Sequence, residues 1–240
     1  AQRPEESHSR LSIRQQVSAA IENKMSEWGS PILDFESLDQ IRNGRTPLLI
    51  SAASSYGRHP ATQDQLLAMS QSLQETFGGG IMVIDGGTSV KSQEGERSPE
   101  MIVQDTLFPG DRENGAHSPK RVAAMPSVAN LDDVTHRPDA MVVKGGASDW
   151  HLPAIESTKY AGSRGGASLF IGGGGAVAKA IEAARELTQT PVFLVAGRGD
   201  EPMGASDKVS REDNLPTHFH VIYADELKDL GPRIQSVVGS

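Results

Sequence analysis

The chain has 240 residues with a formal net charge of −8 and 37% hydrophobic residues, enough for one large domain or two small ones around a sizeable core. It has no cysteine, which excludes disulfides, thiol nucleophiles and cysteine-based metal sites. The negative balance argues against a general nucleic-acid binder, which carries a basic patch or stripe, but a phosphate can still be held by local backbone N–H groups.

The opening AQRPEESHSR is polar and lacks the apolar core of a secretory signal, and no stretch approaches the roughly 18 apolar residues of a membrane span. A cytoplasmic protein without membrane insertion is expected. Residues 11–29 place Leu11, Val17, Ile21, Met25 and Trp28 at helical spacing, ended by Gly29 and Pro31. A buried strand is expected at 46–54, a helix at 61–77 stopped by Gly78–Gly80, and a strand at 81–85. The polar stretch 89–108 is helical at most in its second half, and 109–119 reads as a turn-rich loop. Further strands are expected at 120–125, 139–143, 168–171, 191–196 and 218–223, with helices at 150–161, 176–188 and 224–236. Short apolar strands alternating with amphipathic helices indicate a doubly wound, mostly parallel Rossmann-like α/β sheet with helices on both faces. No repeat or linker divides it, so residues 46–240 read as one domain preceded by an N-terminal helical extension, 1–45.

Four expected strands end in glycine: IDGGT (84–88), VKGGASD (143–149), IGGGGA (171–176) and AGRGDE (196–201). Ligands of such sheets bind outside the carboxyl ends of the strands, near a topological switch point. Parallel strands deliver all four loops to that edge. The run Gly172–Gly175 precedes a helix, whose free N–H groups and positive dipole end favour an anion; the competing reading is tight strand–helix packing. The run is not a dinucleotide fingerprint, because Val177 stands at the last glycine position, nor a P-loop, because the Lys and Ser/Thr are missing.

Asp85-Gly86-Gly87-Thr88, Thr135-His136, Lys144-Gly145-Gly146, the glycine run and PVFLVAGR from Pro191 to Arg198 together resemble the SLOG superfamily of Rossmannoid nucleotide-binding domains. Within it, they are most similar to the bacterial relatives of the cytosolic sensor region of melastatin-type TRP channels. The correspondence spans residues 46–205. Lys91, Ser92 and Gln93 depart from the family's continuation of the first loop, and Gly197-Arg198-Gly199 shortens the last. The resemblance implies binding of nucleotide-derived ligands such as ADP-ribose or other NAD-related signals.

Other members of the superfamily hydrolyse nucleoside monophosphates through PGGxGTxxE. Here its proline, threonine and glutamate positions hold Ile171, Ala176 and Lys179, and only Glu182 stands nearby as a replacement. The expectation is therefore a sensor that binds without turnover and requires no cofactor. Gly172–Gly175 would hold phosphate, Gly86, Gly87 and Thr88 would face it, with Gly145 and Gly146 beside them, and Arg198, helped by Lys144, would supply positive charge. The alternative is an N-glycosidic hydrolase using Glu182. The expected partner is a small nucleotide-derived ligand and not a nucleic acid. Self-association into a homo-oligomer is left open. His218 and His220 share a strand face without a third metal ligand, Asp200-Glu201 reads as solvated, and Trp150 suits either base stacking or the core rim.

Overall fold

Eight short strands run parallel in one sheet, in the order β1-β5-β4-β3-β2-β6-β7-β8. The computed structural model describes residues 19–52, 58–86, 99–108, 120–126, 137–144 and 150–238. The strands are β1 (Ile32–Leu33), β2 (Thr46–Ala52), β3 (Ile81–Asp85), β4 (Arg121–Met125), β5 (Ala140–Val143), β6 (Ala167–Ile171), β7 (Val192–Ala196) and β8 (Phe219–Tyr223). The helices are α1 (Ala19–Trp28), α2 (Phe35–Ile41), α3 (Gln63–Phe77), α4 (Pro99–Leu107), α5 (His151–Ser163), α6 (Gly175–Ala184), α7 (Ala205–Ser210) and α8 (Leu230–Gln235).

The all-parallel sheet explains the continuous apolar strands, since both faces are covered. Alternate residues go to opposite sides. Leu48, Ile50, Val83, Leu169 and Phe193 join Leu66, Met69 and Leu73 of α3 and Ile102 and Val103 of α4. Leu49, Ile84, Val122, Phe170 and Leu194 join Leu38 of α2, Tyr160 of α5 and Val177, Ile181 and Ala184 of α6. The doubly wound reading of the sequence therefore holds.

Local signals set the helix limits. Thr62 caps α3 in a reciprocal capping box with Gln65, and Gly78 ends it at φ 54°. The expected helix at 224–236 is split into a 3₁₀ turn, Ala224–Asp229, and α8.

Residues ahead of 46 do more than extend the domain. The two-residue β1 pairs with β5, and Ile21 and Met25 of α1 are buried against Ala123, Met125 and Met141. Neither β1 nor α2 was expected, because two residues give no period to read. α7 was missed too, its six residues being too short for an amphipathic pattern.

Candidate functional site

From β2 the chain builds outward through β3, β4 and β5, then crosses back to lay β6 against the other side of β2. The switch point thus lies between the loops that follow β2 and β6. The loop after β6 is the glycine run, so the sheet puts it where open α/β proteins bind ligands.

Its four glycines divide into two pairs. Gly172 and Gly173 are buried and have φ of +64° and +93°. A Cβ on Gly172 would collide with the Arg58 carbonyl oxygen and the Cβ of His59, and one on Gly173 with the Val177 side chain. Their N–H groups are spent inside the protein: Gly172 donates to Ser206 Oγ at 2.7 Å and Gly173 to the Arg58 carbonyl at 3.1 Å. The expectation that all four glycines offer N–H groups to phosphate is corrected here. For the first pair, packing and a left-handed backbone require glycine.

Gly174 and Gly175 are exposed, and a Cβ on either would meet nothing within 4 Å. Gly174 is the N-cap of α6 without a side-chain cap, and the intrahelical bonding begins with Ala178 N–H to its carbonyl at 3.0 Å. The N–H groups of Gly175, Ala176 and Val177 precede that first bond and have no intrahelical acceptor. They form the open, positive end of a ten-residue helix.

Arg198 does not face this end. Its Nε donates to Asp225 Oδ2 at 2.7 Å and its Nη2 to Asp225 Oδ1 at 3.2 Å. Glu226 Oε1 lies 3.7 Å away, and the guanidinium stacks on Tyr223 at 4.0 Å. Hydrogen bonding to Asp225 raises its pKa and lowers that of Asp225. The expected cation is thus turned toward the β8 edge and already neutralised.

Arg58, which sequence reasoning missed, lies between β2 and α3, six residues past Ala52. Its carbonyl wedges between Gly172, Gly173 and Gly204, while its side chain is exposed and pairs with no carboxylate among the described residues. A signal did exist: the switch-point rule points to the loops after β2 and β6 together.

The remaining expected residues scatter. Lys144 follows β5, four strand spacings or about 19 Å from β6, and its charge acts on Asp34 beside β1. Gly86 follows β3, where a Cβ would come 3.2 Å from Glu100 Oε1, so an acidic group stands where a phosphate contact was expected. Asp85 of the same motif forms a buried pair with Arg121, Nε to Oδ2 2.9 Å and Nη2 to Oδ1 3.3 Å, and serves to fasten β3 to β4. Gly87, Thr88, Thr135, His136, Gly145 and Gly146 lie outside the described residues.

Glu182 is three residues past the Lys179 position along α6 and about 10 Å beyond Gly175 at helical rise; it is 72% exposed and paired with Arg185 at 2.8 Å. His218 Nε2 meets the Ala184 carbonyl at 2.8 Å and His220 stacks on Phe193, so the two rings serve different contacts. Burial, helped by Arg233 and His218, lowers the His220 pKa. Asp200 offers its carbonyl to Arg211. Trp150 packs on the cluster around Met25 and Met141, a core-rim aromatic.

No protein-family model matches the chain, and no curated protein matches it. Solved structures do share its fold. The structural-genomics target TM1055 is 16% identical with a TM-score of 0.51, over 80% of this chain and 99% of that one. DNA processing protein A from Helicobacter pylori, described as binding single-stranded DNA, is 8% identical with a TM-score of 0.51, over 86% of each chain. The molybdenum cofactor carrier protein from Chlamydomonas reinhardtii is 17% identical with a TM-score of 0.48, over 80% of this chain and 98% of that one. At such identities the likeness to the first two is one of fold alone, the Rossmann-like α/β fold expected from the sequence. Among the described residues no helix is long and apolar enough to cross a membrane.

Proposed function

We propose that the chain binds a phosphate-bearing, nucleotide-derived small molecule at the switch point, as a SLOG-type sensor or carrier without turnover. The observation that carries this reading is the uncapped start of α6: Gly174 and Gly175 are exposed with open space at their Cβ positions, beside the crevice between β2 and β6. Backbone N–H groups at such an end suit a phosphate irrespective of a net charge of −8. In this reading Arg58 supplies the charge first assigned to Arg198, since its side chain is exposed and unpaired among the described residues and its carbonyl lies against the glycine run.

ADP-ribose and NAD are the preferred ligands, as the resemblance to the TRP-channel-related sensors implies. Gly87, Thr88, Gly145 and Gly146 are retained as ligand contacts on the resemblance alone. A small ligand is favoured over nucleic acid by the acidic balance of the chain. Binding without hydrolysis is supported by Glu182, which points into solvent and is held by Arg185, leaving no carboxylate of the hydrolase motif at the glycine run.

Thermal-shift titration with ADP-ribose, NAD, ADP and a single-stranded oligonucleotide tests the reading. A ligand at 100 times its Kd adds about 2.7 kcal/mol, which is several degrees in Tm for a chain of this size. Stabilisation by a nucleotide and no release of free base support the proposal. A flat response to all nucleotides, or a response to the oligonucleotide alone, overturns it.

A further inference from the structure

The loops after β6 and β7 are both fastened to α7. Ser206 is fully buried; its Oγ accepts from Gly172 N–H at 2.7 Å and donates to the Val195 carbonyl at 3.0 Å. The Ala205 and Ser206 N–H groups complete the joint, donating to the carbonyls of Gly173 and Gly172 at 2.9 and 3.2 Å. The next residue, Asp207, is equally buried. Its carboxylate accepts from Gly197 N–H at 3.1 Å, Met203 N–H at 2.8 Å and Arg211 Nε at 3.0 Å. Arg211 in turn donates to the carbonyls of Gly199, at 2.7 Å, and Gly197, at 3.3 Å.

The division of labour is unusual for a six-residue helix. One side chain holds the loop of β6 and its neighbour holds both ends of the loop of β7. Gly204 closes the assembly at φ +91°, where a Cβ would collide with the Arg58 carbonyl and lie 2.8 Å from the Gly172 Cα. Three loops, those after β2, β6 and β7, are thereby set against one another by α7.

Resting on the ligand reading above, we propose that Ser206 and Asp207 are positioning residues of the phosphate site. Neither faces the start of α6. Ser206 draws the Gly172 N–H inward and fixes the left-handed turn that leaves Gly174 and Gly175 outside. Asp207 does the same for the far wall by gathering the Gly197 and Met203 N–H groups, so that the crevice is bordered by a loop of one shape. The ligand class is a nucleotide diphosphate, which must meet both the α6 end and the β7 loop to register their spacing.

Amide hydrogen exchange and calorimetric titration with ADP-ribose test this together, on the wild type, Ser206→Ala, Asp207→Asn and the control Glu212→Gln, whose carboxylate pairs with Arg185 and touches neither loop. In the wild type the amides of Gly172, Gly197 and Met203 are protected. Ser206→Ala releases Gly172 alone and Asp207→Asn releases Gly197 and Met203, each with at least about tenfold faster exchange and about tenfold weaker ADP-ribose binding, the worth of one buried hydrogen bond; Glu212→Gln does neither. Unprotected amides in the wild type, or variants that bind as the wild type does, overturn the proposal, and the wild-type exchange decides even where a variant fails to fold. If the exchange pattern holds but the wild type binds no nucleotide, the positioning of the loops stands and the ligand reading falls.

Discussion

Gly172 and Gly173 differ from Gly174 and Gly175 in everything except their chemistry. The first pair is sealed between Arg58, Val177 and α7, with N–H groups donated to protein acceptors; the second stands in the open at the start of a helix. Forced dihedrals with close packing therefore sit beside two open positions in one run, the ones proposed to admit a ligand. The lesson is that a glycine-rich loop at a strand end need not be devoted to its ligand. Half of this one builds the loop that presents the other half.

The largest effect should come from breaking the sealed pair. Gly172→Ala puts a side chain at positive φ and against the Arg58 carbonyl, costing about 3 kcal/mol, or roughly 6–12 °C in Tm, measurable by calorimetry on the unliganded protein. A variant as stable as the wild type would mean that the sealed pair is not sealed. Gly173→Val should likewise destabilise the free protein before ligand is considered.

Next comes the support that α7 gives the neighbouring β7 loop. Asp207→Asn removes a buried, charge-assisted set of hydrogen bonds and should cost about 2 kcal/mol near neutral pH. Burial alone would raise the Asp207 pKa, but Arg211 and the N–H groups of Met203 and Gly197 outweigh it and hold the pKa below the usual carboxylate value. A lowered folded pKa means that the stabilisation is complete above the ordinary value near 4 and is lost as pH falls through the folded one. Denaturant melts between pH 7 and pH 2 should therefore show the wild type and Asp207→Asn converging in acid. A gap that persists to pH 2 would show that the carboxylate charge does not contribute.

The open pair should respond in the opposite sense. Gly175→Ala lies in the first turn of α6 with free space around it, so it should leave the free protein unchanged or stabilise it by up to about 1 kcal/mol while raising the Kd for ADP-ribose several-fold. Loss of stability would erase the contrast with Gly172. The smallest effect is expected at Asp225→Asn, which releases the exposed Arg198: the melting curve should scarcely move and ADP-ribose affinity should not rise. A marked gain in affinity would return Arg198 to the site.

Much of this was legible in the sequence because it rests on repetition. Alternating apolar strands and amphipathic helices gave the parallel sheet, and glycines at strand ends pointed to the edge proposed for the ligand. What escaped reading was long-range pairing. Nothing local distinguishes Arg198, bound to Asp225 27 residues away, from Arg58, which has no such partner among the described residues, and nothing in IDGG reveals that Asp85 is spent on Arg121. The Ser206–Gly172 bond spans 34 residues, and its donor and acceptor are ordinary residues until the crossover to β6 brings them together. β1 was too short to show a period, and its role comes from its neighbour β5.

The most direct test follows the backbone amides of ¹⁵N-labelled protein during titration with ADP-ribose. Saturable shifts at Gly175, Ala176 and Val177, with Gly172 and Gly173 little moved, are the predicted result, because those three N–H groups have no intrahelical acceptor while the other two are donated to Ser206 and Arg58. Absence of saturable shifts at those three amides, or binding that moves Gly172 and Gly173 while leaving them still, would contradict the account.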